Sequence, residues 1–154
     1  MLVAMLPAAC GGHVVLKLAQ GGAVVEVRSP ALSEGDTLPV KFTCEGENVS
    51  PPLGWSDVPE AAAELRLSVT DPDAPGGTFT HWTVTGIDPS SSDVGQGTVP
   101  AGGTEERNSF GQAAYGGPCP PRGAEPHRYI FRIEALDAAG NALASGELTT
   151  RFGR

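Results

Sequence analysis

Basic residues, aromatics and cysteines are all scarce in this chain, and each scarcity removes a class of function. Ten Lys and Arg stand against 18 Asp and Glu, a net charge of −8. A surface of that sign does not release the counterions of a nucleic acid, so nucleic-acid binding is excluded as a general activity. Aromatic residues make up 6% of the chain, and no apolar run approaches the ~20 residues that span a bilayer. Three cysteines and three histidines occur, with no CxxC or HxxxH spacing, so neither a structural zinc site nor any other metal centre is expected. There is no GxSxG elbow for a serine nucleophile, and Ser109 in NSFG has no supporting motif. Helix-forming runs are short as well. The best is Glu60–Leu65, EAAAEL, barely more than a turn.

What is present is strand and turn. The 154 residues suit one domain, and the 21 glycines and 14 prolines fall between apolar runs, as in many short strands joined by turns. HVVLKLA and AVVEVRS flank Gln20-Gly21-Gly22 in the manner of a hairpin. LPVKFT (38–43), ELRLSVT (64–70), HWTVTGI (81–87), HRYIFRIEAL (127–136) and GELTTRF (146–152) each read as a strand. In HWTVTGI, parity places His81 with Thr83, opposite Trp82, and in HRYIFRIEAL it places His127 with Tyr129 and Phe131. Pro89–Asn108 is a long polar connection. The expected architecture is all-β, a mainly antiparallel, Greek-key-like sandwich with very little helix, in a single domain over 23–154.

Residues 1–22 read as an N-terminal leader or a partial lipoprotein-signal remnant, with a strand as the other reading of their apolar run. MLVAMLPAACGG has the apolar run and small residues that precede a lipidated cysteine, here Cys10, but no basic start. If it is a signal remnant, the protein belongs to the cell envelope and meets the membrane only through Cys10; otherwise it is cytoplasmic. Cys44 and Cys119 pair if the protein is exported. The preferred reading is two thiols, since sequence alone shows no Cα separation.

Two turn-rich stretches carry the chemistry. DPDAPGGTFTHW (71–82) and YGGPCPPRGAEPHRY (115–129) each deliver a histidine at a strand start. The crowding of prolines in the first suggests a cis bond at Ala74–Pro75. Two imidazoles, a tyrosine hydroxyl and glycine-rich backbone N–H groups are all donors that suit an anion.

TCEGENVSPPLGW, DPDAPGGTFTHW, NSFGQAAYGGPCPPRGAEPHRYIF and the final LTTRFGR, in this order, resemble the phosphatidylethanolamine-binding protein family, in particular its bacterial, Raf kinase inhibitor-like branch. The resemblance runs from Val27 to Arg154. It implies a β-sandwich with a small anion pocket at one end. Asp71, Asp73 and Pro75 match the first pocket loop and His81 its histidine. Gly117, Pro118 and Cys119 match the loop offering backbone donors, and His127 and Tyr129 match the second histidine and a tyrosine wall. The implied ligand is a phosphate-bearing small molecule or lipid head group, with no cofactor. A kinase or protease is the protein partner the family suggests, and a homodimer is left open. The aspartates are expected to stand behind His81. A binding module is the expected function, and a hydrolase with an Asp–His general base is the alternative. One departure stands out: relatives usually carry a helix after the segment matching ALD (135–137), where this chain has only AAGNALASG.

Overall fold

The computed structural model describes residues 23–154, and the fold is all-β. The described residues supply nine strands: β1 Ala23–Val24, β2 Glu26–Arg28, β3 Leu53–Ser56, β4 Glu64–Asp71, β5 Phe79–Ile87, β6 Asp93–Val94, β7 Thr104–Glu105, β8 His127–Leu136 and β9 Ala142–Phe152. They form a six-stranded sheet in the order β1-β9-β8-β4-β5-β7 and a three-stranded sheet in the order β2-β3-β6. All pairs are antiparallel except β1 with β9.

Alternation explains the long strands. In β4 the residues Leu65, Leu67, Val69 and Asp71 are buried and those between are half-exposed, and β8 buries His127, Tyr129, Phe131, Ile133 and Ala135. The register lines up Leu148, Phe131, Val69 and Trp82 across four strands. Burying each such side chain contributes about 1.5–3 kcal/mol, so this row anchors the sheet. One cluster of buried side chains draws on both sheets, with Val25, Leu53 and Trp55 joining Leu67, Val84 and Phe131. The AVVEVRS run divides between the sheets: β1 pairs with β9, Val25 is buried at the crossover, and β2 pairs with β3. A Cβ at Gly146 would meet the Val25 carbonyl, which is why β9 has glycine where the chain crosses. The proposed hairpin at Gln20-Gly21-Gly22 and the leader with Cys10 lie outside the described residues.

Four local expectations are corrected. Glu60–Leu65 is a turn running into β4, not a helix: the N–H of Ala63 donates to the Leu136 carbonyl (2.8 Å), and so short a helix cannot offset its nucleation cost. LPVKFT is a 3₁₀ turn over Val40–Phe42 rather than a strand. Leu38 and Phe42 are buried while Val40 is half-exposed, a helical spacing that follows Pro39, whose fixed φ of −58° starts the turn. No cis peptide occurs among the described residues. The DPDAP loop reverses instead at Gly76 and Gly77, with φ of 87° and 123°, which side chains rarely tolerate. Cys44 and Cys119 form a disulfide, with Cα atoms 5.4 Å apart, because Cys44 donates its N–H to the Pro118 carbonyl and so brings the two loops together.

The β8–β9 connection is a tight hairpin closed by Asp137, whose carboxylate accepts from the N–H groups of Ala139 and Asn141. Those bonds hold its carboxyl below the ordinary value, the Asn141 N–H contributing most. No helix stands between the two strands.

Candidate anion site

At one end of the six-stranded sheet, β4, β5 and β8 converge with the loops 71–79 and 108–121. Antiparallel pairing between β4 and β5 slips there: Val69 faces Trp82, but Thr70 faces Thr80, leaving His81 as the extra residue of a bulge. His81 and Trp82 are consequently both buried, at 3% and 1% exposure. This corrects the parity reading that set them on opposite faces. A bulge is decided by the partner strand, so no periodicity within β5 could reveal it.

His81 is held by the loop it faces. Its Nδ1 lies 2.7 Å from the Gly116 carbonyl, and Gly116 returns its own N–H to the His81 carbonyl at 3.0 Å. A carbonyl accepts only, so Nδ1 carries the proton and Nε2 is the free ring nitrogen. Rings of Phe79, Phe110 and Tyr129 surround it, with centroids 5.0, 5.6 and 5.4 Å away. Burial pushes the imidazole below its ordinary value of 6.5; the Gly116 carbonyl and the Asp71 charge offset part of that shift. The cavity at its edge measures about 320 Å³ and is lined by Ala74, Pro75, Phe79, His81, Phe110, Cys119 and Pro121.

Behind this wall lies the second imidazole. His127 Nδ1 is 2.7 Å from Asp71 Oδ2, with both side chains less than a tenth exposed. Asp71 Oδ1 accepts the N–H of Asp73 at 2.8 Å, so one carboxylate both shapes the loop and orients His127. Tyr129 is buried beside them, and its phenol is held well above the ordinary value, first by burial and then by the Asp71 charge.

The remaining residues singled out from the sequence take other roles. Asp71 stands behind His127 rather than His81. Asp73 faces away from the cavity, its carboxylate accepting the N–H, Nε and Nη2 of Arg128 at 3.0 Å or less. Gly117 gives its N–H to Asn48 Oδ1 (2.7 Å), and proline at 118 has none to give. Neither therefore offers a free donor; a Cβ on Gly117 would strike Asn48 and the Phe42 carbonyl, so this glycine serves close approach of two loops. Pro75 and Cys119 line the cavity.

Three contributors escape a reading of the sequence. Phe79 and Phe110 pack edge to face, 4.8 Å apart, at the mouth. Asn108 organises the loop behind them. Its Oδ1 accepts the N–H groups of Phe110 and Gln112, and its Nδ2 donates to the Ala114 carbonyl. An Asn ahead of Ser-Phe-Gly is the signal for such an Asx arrangement. Ser109, once weighed as a nucleophile, is tied to the edge of β5 instead: its Oγ accepts the Thr80 N–H and its own N–H donates to the Thr80 carbonyl, both at 2.9 Å.

The Asp73–Arg128 pair yields a prediction about acid. The Arg128 guanidinium and N–H hold the Asp73 carboxyl down to about 2, from an ordinary 3.8. A carboxyl depressed on folding stabilises the fold above its unfolded value, and that stabilisation is lost as pH falls toward the folded one. The side chains are 45% and 32% exposed, so solvent limits the gain to at most ~1 kcal/mol. Asp73→Asn is expected to lower urea-unfolding stability by that amount at neutral pH. The gap to wild type should close between pH 3.8 and about 2; a gap constant through that window refutes the pairing.

Against known proteins, residues 28–152 match the family model for phosphatidylethanolamine-binding proteins. The chain belongs to the phosphatidylethanolamine-binding protein family. It is 43% identical over 130 residues to the UPF0098 protein of Aquifex aeolicus, covering 82% of this chain and 76% of that one. Over 113 residues it is 50% identical to the Putative lipoprotein LppC of Mycobacterium tuberculosis, covering 73% of this chain. The match spans just over half, 56%, of that relative's length. Escherichia coli YBCL, described as a member of the mammalian PEBP family, superposes with a TM-score of 0.81 at 32% identity, over 86% of this chain and 99% of that one. Family membership supports a binding module and carries the all-β fold with it.

Proposed function

We propose that the His81 cavity binds the phosphate group of a small molecule or head group without transforming it. The observation that carries this reading is the locking of His81 Nδ1 on the Gly116 carbonyl, which leaves Nε2 as the ring nitrogen for the cavity. Once protonated, Nε2–H is a charged donor in an apolar surround, the condition under which a hydrogen bond to a phosphate oxygen is strongest. The Asp71–His127 pair lies close behind, and its orientation supplies a second imidazole of fixed tautomer. With the protein at net −8, attraction of the anion must be local. A cell-envelope address belongs to the same proposal, supported by the LPAACGG pattern around Cys10 and by the name of the mycobacterial relative.

The Asp71–His127 pair also favours a second reading, since a carboxylate orienting an imidazole is the form of a general base. What weighs against it is the nucleophile. Ser109 Oγ is tied to the Thr80 backbone and Cys119 is in a disulfide.

The test is a titration of inorganic phosphate and phosphoethanolamine, followed by the ring-proton NMR signals of His81 and His127. Saturable shifts of both histidines are expected, with one stoichiometric site. Histidine signals indifferent to phosphate overturn the proposal, and turnover of a chromogenic phosphoester transfers the site to the hydrolase reading.

A further inference from the structure

The Cys44–Cys119 disulfide forms part of the site's own wall. Cys119 lines the His81 cavity, and both cysteines line an adjoining cavity of about 350 Å³, which shares Phe110 and Cys119 with the first. Cys119 is exposed and Cys44 half-buried. The bridge closes 75 residues of chain and ties the 43–48 segment to the loop whose Gly116 carbonyl fixes His81. Beside it, three hydrogen bonds join the same loops: Tyr115 Oη to the Phe42 carbonyl, Gly117 N–H to Asn48 Oδ1, and Cys44 N–H to the Pro118 carbonyl. The loop junction thus has one covalent tie, at an exposed cysteine, and non-covalent ties that survive its loss: these three hydrogen bonds and the Glu45–Arg122 ion pair at 3.1 Å. Glycines 116 and 117 have no room for a Cβ, the first against Phe110 and the second against Asn48, so the junction is packed closely against the groups around His81.

We propose that Cys44–Cys119 is a thiol–disulfide exchange site whose redox state sets the anion affinity of the His81 cavity. The exchange partner is a small thiol or a dithiol reductant. Its thiolate attacks Cys119 Sγ, the sulfur of the more exposed cysteine, forming a mixed disulfide and breaking the Sγ–Sγ bond. Cys44 leaves as a thiolate and takes a proton from water. A second thiolate attacks the reductant's own sulfur in the mixed disulfide and releases Cys119 as a thiolate, which is protonated in turn. Two electrons pass to the protein, and two reductant thiols become one disulfide. In the reduced protein the loop loses its covalent tie to the 43–48 segment and keeps only hydrogen bonds and the Glu45–Arg122 ion pair across that junction. His81 is then less confined, and its Nε2 is no longer held toward the cavity. Linkage makes the coupling reciprocal: an anion that prefers the oxidised site must protect the disulfide from reduction by the same factor.

This inference rests on the phosphate reading, and the experiment separates the two. Dithiothreitol is titrated into the protein with and without inorganic phosphate. Free thiols are counted by mass tagging, the fold is followed by far-UV circular dichroism, and His81 is titrated by NMR in both redox states. The reduced protein is expected to stay folded, to bind phosphate about tenfold more weakly because the imidazole is no longer held in place, and to show a His81 titration that differs from that of the oxidised protein. Saturating phosphate should shift disulfide reduction by about 30 mV toward more reducing conditions, the two-electron equivalent of tenfold. The double variant Cys44→Ser/Cys119→Ser should match the reduced protein and ignore the reductant. Equal phosphate affinity in both states overturns the proposal, as does unfolding on reduction, which would make the bridge a stability staple only. If the oxidised protein binds no phosphate, the phosphate reading falls, and the redox dependence of the His81 pKa decides the coupling by itself.

Discussion

Replacement of Asp71 by alanine is expected to cost about 3–5 kcal/mol of folding stability, the range found when one partner of a buried pair is removed. Domains of this kind have about 5–15 kcal/mol in total, so the variant would stand near the edge of unfolding. The expectation comes from the number of groups one carboxylate serves. Asp71 Oδ2 accepts from His127 Nδ1 and Oδ1 accepts from the Asp73 N–H, with the side chain only 5% exposed. Alanine leaves both donors without a partner in a place water does not reach freely. Asp71→Asn is expected to cost much less, about 1–2 kcal/mol: its Oδ1 keeps the Asp73 bond, and its Nδ2–H donates to His127 Nδ1 once the imidazole adopts the other tautomer. Urea unfolding of both variants, of His127→Ala and of Asp71→Ala/His127→Ala measures the pair, with a coupling of about 0.5–3 kcal/mol expected from the cycle. A loss below 1 kcal/mol for Asp71→Ala would mean that the pair carries no weight in the fold. ¹⁵N shifts of the His127 ring report the change of tautomer.

The pair was half legible in the sequence, and the half that was missed is instructive. That Asp71 and His127 belong to one site was implied by the family resemblance that the turn-rich stretches carry. Which histidine the carboxylate serves did not, because Asp71 precedes His81 by ten residues in the chain yet meets His127 across the β4–β8 pair. Strand alternation in ELRLSVT and HRYIFRIEAL was readable since period-2 burial leaves its mark in each residue. The bulge at His81 was not, since the slip exists only in the pairing of β5 with β4. The Cys44–Cys119 bridge and the Asp73–Arg128 clasp share this property: their partners lie 75 and 55 residues away, and nothing local selects them. The 3₁₀ turn at Val40–Phe42 is a different case. Pro39 was in plain view, and weighting it above the apolar pattern of LPVKFT would have given the turn.

Phosphate affinity is expected to rise as the pH falls through the His81 pKa, and to lose most of that dependence in His81→Ala. Which ring nitrogen is occupied decides the sign. With Nδ1–H donating to Gly116, neutral His81 presents only the Nε2 lone pair to the cavity, and a lone pair repels a phosphate oxygen. Binding of an unprotonated phosphate oxygen therefore requires the imidazolium. Burial, the largest influence on this group, lowers its pKa from 6.5, so the unliganded site is mostly neutral at neutral pH and must take up a proton to bind. Two consequences follow from the sign. Without ligand, a histidine whose pKa is lowered on folding favours the fold fully above 6.5, and that contribution is lost as pH falls toward the lowered value. With phosphate bound, the anion raises the pKa again and offsets the loss, so ligand-induced stabilisation should grow under acid conditions. Removing the charged donor should weaken binding by about 1.5–3 kcal/mol, ten- to a hundredfold, measured below the His81 pKa. Calorimetric titration of inorganic phosphate into wild type and His81→Ala, at one pH below the His81 pKa found by NMR and one above 6.5, checks all of this together with the proton uptake per bound anion. Affinity that strengthens with rising pH, or a variant that binds as wild type does at the lower pH, rules out the imidazolium as the phosphate's partner.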